Sequence, residues 1–385
     1  MHPLYANMPV SFFERMSMRA RETGAINLGQ GFPDANGPPE VLAAAARALT
    51  ERSNQYPPML GLPELRSAVA DHYRAAQGLD LTAEEVVVTS GATEAIAAAI
   101  LAIVSPGDEV LLFQPLYDAY LPLVQRAGGT ARLVRLAPPD WRITRAALEA
   151  ALTPATKAVI LCNPLNPAAS VASAEELALL ADFCVSNDLL AISDEVWEHV
   201  TFDGAQHRPL MAQPGMRERT LKIGSAGKIF AMTGWKIGWL CAAPELARVA
   251  AKAHQFLTFT TPPNLQYAVA QGLRGSMTWV EQSRLGFEQS RNRLADGLDR
   301  LGLKTLPSEA TWFLSLDLAA SGIAMTDVAF CDWMVAEAGV AAIPISAFYA
   351  DDPVTHLVRL CHAKADTTLD EALKRLEKSL PSLRA

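Results

Sequence analysis

The run IGSAGKIFAMTGWKIGW, Ile223 to Trp239, carries two lysines, Lys228 and Lys236, and no carboxylate to pair with either. A cation among glycine, alanine and apolar side chains is costly unless it is paired, exposed or chemically altered. The two are therefore either surface lysines at strand ends or amines kept for chemistry. The ends of other β-branched runs offer the companions that such an amine would need. Ser90-Gly91-Ala92-Thr93 passes straight into a helical pattern, where free backbone N–H groups and the positive end of the dipole favour an anion. Ser225 and Lys236 add a hydroxyl and a charge to the same anion. Asp194 follows the apolar run LLAIS, where a carboxylate is expensive unless it faces a cation or a protonated heterocycle. Asn163 and Asn166 close another run, in NPLNP. No metal set emerges, because the histidines are scattered and the strand ends carry mostly single amides and hydroxyls.

A phosphate cup, an amine, a carboxylate and an amide at neighbouring strand ends match pyridoxal phosphate, which needs an amine to link to, an acid partner for its ring nitrogen and a phosphate anchor. Lys228 would be the amine and Asp194 the acid partner. Lys236 nearby helps to keep a free amine neutral and nucleophilic.

The elements that must position these groups begin near residue 84. Seven short runs, EVVVTSG, EVLLFQP, ARLVRL, KAVILCN, LLAISDE, LKIGSAG and IGWLCAA, alternate with helical patterns such as TEAIAAAILAIV and SAEELALLADFCVSN. The second helix has Ser173 as N-cap and Glu176 three residues on, a capping box. Strands alternating with helices predict an α/β fold with a mainly parallel sheet buried on both faces, and ligands outside the carboxyl ends of its strands. After about residue 280 a long charged helical stretch is followed by TWFLSLDL, GVAAIPIS and HLVRLCHAK, which read as a smaller α+β domain. The expected division is a large domain over residues 40–280 and a small one built from residues 1–39 and 281–385.

Composition narrows the function. At 385 residues the chain is long for one core. A net charge of −8 with interspersed signs argues against a nucleic-acid or membrane-surface partner, since both need clustered Lys and Arg. Five widely spaced cysteines within apolar runs fit reduced, buried thiols. The opening MHPLYANMPVSFFERM lacks the pattern of a signal peptide, and the longest apolar run, AIAAAILAIV, is about half of a membrane span. A soluble, cytoplasmic protein is expected.

The ordered motifs INLGQGFPD, NQYPPMLGLPELR, TSGATEAI, PLYDAY, TKAVILCNPLNP, SDEVWEH, GSAGKIFAMTGWKIGW and VRLCHAK span nearly the whole chain. Together they resemble the fold-type I, class I/II aminotransferases, in the branch of the kynurenine, glutamine and methionine enzymes. The resemblance implies that fold, with a seven-stranded sheet in the large domain, and pyridoxal phosphate as cofactor. It makes Lys228 the Schiff-base lysine and proton shuttle, Asp194 the partner of the pyridinium nitrogen and Asn166 a donor to the ring oxygen. Tyr117 would stack on the ring, and Gly91, Ala92, Thr93, Ser225 and Lys236 would surround the phosphate. Tyr56 would reach in from a second subunit of a homodimer. Asn163 and Arg359 would hold the substrate carboxylate, Gly31 would let the backbone approach it, and Phe13 would line the pocket.

Two departures stand out. The family's asparagine motif continues to a glycine, where this chain has NPLNPAAS. Trp197 replaces a tyrosine that donates to the ring oxygen; an indole N–H donates but cannot ionise or accept. The implied activity is transfer of an α-amino group from an L-amino acid of methionine, glutamine or aromatic type to a 2-oxo acid by a ping-pong cycle. A carbon–sulfur β-lyase, a cofactor-binding regulatory module and an inactive homologue are the rivals. The absence of a basic patch speaks against the second and the retained Lys228, Asp194, Asn166 and Arg359 against the third.

Overall fold

The computed structural model describes residues 1–6 and 8–384. A short strand, β1 (Ile26–Asn27), precedes seven strands that fall on the seven β-branched runs: β2 (Val86–Thr89), β3 (Glu109–Gln114), β4 (Thr130–Arg135), β5 (Thr156–Cys162), β6 (Leu190–Asp194), β7 (Thr220–Ser225) and β8 (Gly238–Cys241). They form one sheet in the order β2-β8-β7-β6-β5-β3-β4. All neighbours are parallel except β8, which is antiparallel to both β2 and β7. The reason lies in the connection. A parallel crossover needs a helix long enough to traverse the sheet, whereas residues 226–237 hold only the four-residue helix Ala226–Ile229 and the 3₁₀ turn Thr233–Trp235. The chain turns at the carboxyl end and comes straight back.

Helices cover the sheet where the sequence places them. Gly91–Ile103 follows β2, and Ala174–Ser186 starts at the capping box of Ser173 and Glu176. Glu176 is shared, for its carboxylate also accepts from the Ile143 N–H at 2.8 Å. The sheet core is lined by residues such as Val110, Leu112, Ile160, Ile192 and Leu221, all fully buried.

The C-terminal part adds β9 (Lys304–Thr305), β10 (Phe313–Asp317), β11 (Val340–Ala341), β12 (Ile343–Pro344) and β13 (Leu357–Cys361). Four of these make an antiparallel sheet in the order β12-β13-β10-β9, while β11 pairs in parallel with β1. Met16, Ala20 and Leu28 from the N-terminal segment share a second core with Leu294, Leu316, Phe330 and Leu369. The division expected at residue 280 falls inside one continuous helix, Met277–Arg300. Its Val280 packs with the helices over the large sheet, and its Leu294 and Leu298 pack in the second core. Phe313, Leu357 and Cys361 join the core of the large sheet, so the ends of β10 and β13 lie at the junction.

A buried charge cluster sits just past β6. Lys222 on β7 is wholly buried between the carboxylates of Glu195 and Glu198, the latter at 2.8 Å. His207 lies 3.0 Å from Glu195, the Tyr73 hydroxyl donates to Glu198 at 2.9 Å, and the Lys222 ammonium lies 4.4 Å from the Tyr73 ring centre. All five cysteines are buried and unpaired. Among the described residues no helix is long and apolar enough to cross a membrane.

Candidate active site

The carboxyl ends of the central strands, the turn after β2 and the edge of the small sheet enclose a cavity of 390 Å³. At one end is an anion cradle. Gly91 opens the helix Gly91–Ile103 with φ of 75°, a left-handed conformation natural only to glycine. A Cβ there would lie 3.2 Å from the Lys236 Nζ, so the ammonium reaches the turn that carries the Ala92 and Thr93 N–H groups. Lys236 itself is held in the left-handed region at φ of 54°, a conformation that persists only when its surroundings impose it. Gly238 makes the approach possible: a Cβ on it would lie 2.6 Å from the Gly91 carbonyl carbon and 2.8 Å from the Ala92 nitrogen. Ser225, at the end of β7, lines the same part of the cavity. Behind the turn, Glu94 accepts from the Ser90 N–H and lies 2.5 Å from the His254 ring.

Lys228 follows β7 directly, on the short helix Ala226–Ile229. Its ammonium sits 4.5 Å from the ring centre of Trp197 and 4.8 Å from that of Trp312, with no ion pair among the described residues. Burial drops its pKa to about 8, a fall that Arg359 and Lys236 reinforce and Cys361 and Asp194 oppose. Asp194 ends β6. One carboxylate oxygen accepts from the Tyr120 hydroxyl at 2.5 Å, the other from the Val196 N–H at 3.4 Å. Burial raises its pKa, while the two hydrogen bonds and Lys228 favour the carboxylate.

Arg359 enters from β13. It donates to the Asn166 Oδ1 at 2.9 Å and the Gly29 carbonyl at 2.8 Å, and its guanidinium lies 3.8 Å from the Phe313 ring centre, 4.9 Å from Phe348 and 5.3 Å from Phe13. Its Nε is buried without an acceptor. Burial lowers its pKa, to about 9, so the guanidinium keeps its charge at neutral pH. A buried, charged donor left unmatched in an aromatic slot is costly. A carboxylate would satisfy it.

Tyr117 lines the cavity with its hydroxyl 3.4 Å from Thr93 and its ring edge-on to Tyr120. Trp197 is buried edge-to-face against Trp312 at 4.8 Å and Phe313 at 5.5 Å. Gly31 also lines the cavity, but what excludes a side chain there is protein: a Cβ would lie 2.5 Å from the Phe313 ring. Two of the sequence-predicted residues fall outside. Asn163, expected at the substrate carboxylate, lines a separate 150 Å³ cavity, where its Oδ1 accepts from the Ala172 N–H at 2.9 Å. Tyr56 is 83% exposed and packs edge-on against Phe259. The glycine missing from the asparagine motif has left its conformation behind, for Ala169 sits at φ of 61°. Sequence reasoning missed Tyr120, Trp312 and Phe313. Tyr120 was within reach, as the last residue of PLYDAY.

Comparisons with known proteins agree with this geometry. The profile of the family "Aminotransferase class I and II" matches residues 23–376. A probable N-succinyldiaminopimelate aminotransferase, DapC, of Mycobacterium tuberculosis is 45% identical over 376 residues, covering 94% of each chain. The solved structure of N-succinyldiaminopimelate aminotransferase from that organism superposes with a TM-score of 0.95 over 98% of this chain and 99% of that one, at 44% identity. The methionine aminotransferase of Escherichia coli is 39% identical over 369 residues, 96% of this chain and 95% of its own. With a strand-end lysine, a buried aspartate and an arginine clamp around one cavity, and a match that runs almost from end to end, the chain belongs to the class I and II aminotransferases.

Proposed function

We propose that this protein carries pyridoxal phosphate on Lys228 and moves the α-amino group of an L-amino acid with an uncharged side chain, of methionine, glutamine or aromatic type, to a 2-oxo acid. Members of the family use this cofactor. The observation that carries the reading is the meeting in one cavity of an amine lowered to about 8, a buried carboxylate and a guanidinium with an unspent buried donor. The cradle at Gly91, Ala92, Thr93, Ser225 and Lys236 suits a phosphate. When bound, pyridoxal phosphate supplies a ring that takes up the charge left as the substrate Cα–H bond breaks.

The protein's part is positional and protonic. Asp194 would keep a proton on the ring nitrogen, Asn166 would offer its amide N–H to the ring oxygen, and Tyr117 would lie against the ring face. Lys228 would hold the cofactor and, as a free amine beside the substrate, would take and give back the Cα proton; a pKa near 8 suits both directions. Arg359 orients the α-carboxylate by its fork. The walls of Phe13, Trp197 and Phe313 exclude water and favour an apolar donor side chain. The exposed Tyr56, packed edge-on against the partly exposed Phe259, supports a homodimer in which Tyr56 reaches the partner's phosphate cradle. Five buried free thiols support a cytoplasmic location.

The likeness to a diaminopimelate enzyme supports a second donor class, an acylated diamino acid. One experiment addresses both. The absorption of the cofactor-loaded protein is recorded before and after each candidate donor, with no oxo acid present and with Lys228→Ala as control. The expected result is conversion to the amine form of the cofactor by L-methionine or an aromatic amino acid. Conversion by the succinylated donor alone would replace the proposed substrate class. Release of pyruvate and a thiol from cysteine conjugates would make the protein a lyase, and absence of a lysine-linked band would overturn the cofactor assignment.

A further inference from the structure

Tyr120 is fully buried beneath the cavity, and the proposed reaction gives it no part. Its hydroxyl donates to the Asp194 Oδ2 at 2.5 Å, and its ring meets Tyr117 edge-on with centres 5.6 Å apart. Asp194 and Tyr117, both of which it touches, are the residues expected to hold opposite features of a pyridine ring, its nitrogen and its face. The other oxygen of Asp194 has only the long 3.4 Å contact from Val196. The Tyr120 hydroxyl is therefore the principal donor to that carboxylate, and a donor favours the ionised form. We propose that Tyr120 is a positioning residue that holds Asp194 as an oriented carboxylate through its hydroxyl and braces Tyr117 with its ring, so that one side chain sets both contacts. The inference rests on the pyridoxal phosphate reading above.

The chemistry follows from where one proton lies. With Tyr120 donating, Asp194 accepts from the ring nitrogen without removing its proton. Without that donor Asp194 becomes more basic and draws the proton toward itself. With the cofactor bound, the ring would then carry less positive charge and the Lys228 nitrogen would hold its own proton more tightly.

Tyr120→Phe removes one oxygen atom and keeps the edge-on contact, and Tyr120→Ala removes both. Two readouts besides turnover separate the roles: the affinity for pyridoxal phosphate by titration, and the pH midpoint of the absorption of the loaded protein. Tyr120→Phe is expected to weaken cofactor binding by about tenfold or more, the scale of a lost hydrogen bond to a charged group, and to move the midpoint to higher pH. Tyr120→Ala should do the same and also broaden the band as Tyr117 loses its support. In an Asp194→Ala background, Tyr120→Phe should have no further effect on either readout, which ties the hydroxyl to that carboxylate even if the single variant is less stable. A Tyr120→Phe protein with the wild-type midpoint and affinity overturns the proposal while the cofactor reading stands. A wild type that binds no cofactor overturns both.

Discussion

Lys228 meets burial before it meets any counter-charge, and that order decides its chemistry. Only the neutral amine attacks an aldehyde. Capture of pyridoxal phosphate by the cofactor-free protein is expected to accelerate as pH rises and to level off above about 8, where the buried amine has lost its proton. Stopped-flow absorbance follows this, and Lys228→Ala should show no capture at any pH. Arg359 calls for a different test because its value lies in shape. A lysine there keeps the charge but not the fork that grips Asn166, Gly29 and a carboxylate together. Arg359→Lys is expected to lower kcat/KM for the amino acid by about a hundredfold while leaving cofactor affinity unchanged, which steady-state kinetics beside a cofactor titration would show. Lys228 and Asp194 could be read from the sequence because each is a charge set among apolar neighbours, whereas Arg359 was legible only through the resemblance that VRLCHAK carries. Asn163 and Asn166 share one local signature, an asparagine before a proline, and only the path of the chain beyond β5 separates them. Tyr120 was hidden for a similar reason: two tyrosines in PLYDAY offer the same chemistry, and burial alone tells which faces the cavity and which supports it.

The seven strands of the large sheet were legible as elements because strands buried on both faces read as continuous β-branched runs. The direction of β8 was not, since such a run looks the same either way and only the shortness of the preceding connection reverses it. That reversal has a use. It brings Gly238 at the start of β8 against the turn of Gly91 and Ala92, which fixes the cradle between two elements distant in sequence. Gly238→Ala would force a methyl into backbone atoms at 2.6–2.8 Å, where no side chain can give way. The expected outcome is a stability loss of about 1–3 kcal/mol together with weaker retention of the cofactor, read by urea unfolding and by cofactor titration. The place of the boundary expected at residue 280, inside a helix, has a physical origin too. The helix Met277–Arg300 is charged along its exposed positions and continuous through the junction, so composition shifts within an element rather than between elements.

At the scale of the molecule, the buried cluster of Lys222, Glu195 and Glu198 ties β7 to the segment after β6, and nothing in LKIGSAG marked its lysine as buried. Burial alone would raise the Glu195 pKa, but Lys222 and His207 outweigh it and hold it at about 2. A depressed carboxylate contributes stability that is complete above its ordinary 4.5 and is lost as pH falls from there through about 2. His199, lowered to about 4 mainly by burial, acts in the same direction, because the unfolded chain takes its proton first. Urea midpoints measured across this range should fall steadily with acidification. Lys222→Met would leave two buried carboxylates facing each other and is expected to cost about 3–5 kcal/mol. Changing Glu195 and Glu198 to glutamine in the same chain should restore most of that loss. The five buried cysteines carry a last consequence. Burial raises the pKa of every one of them, so the folded chain should be silent toward alkylating dyes at neutral pH. Each label that appears then counts an opening of the structure around a known residue, and a single cysteine placed on the surface can be tagged against a dark background with no native residue replaced.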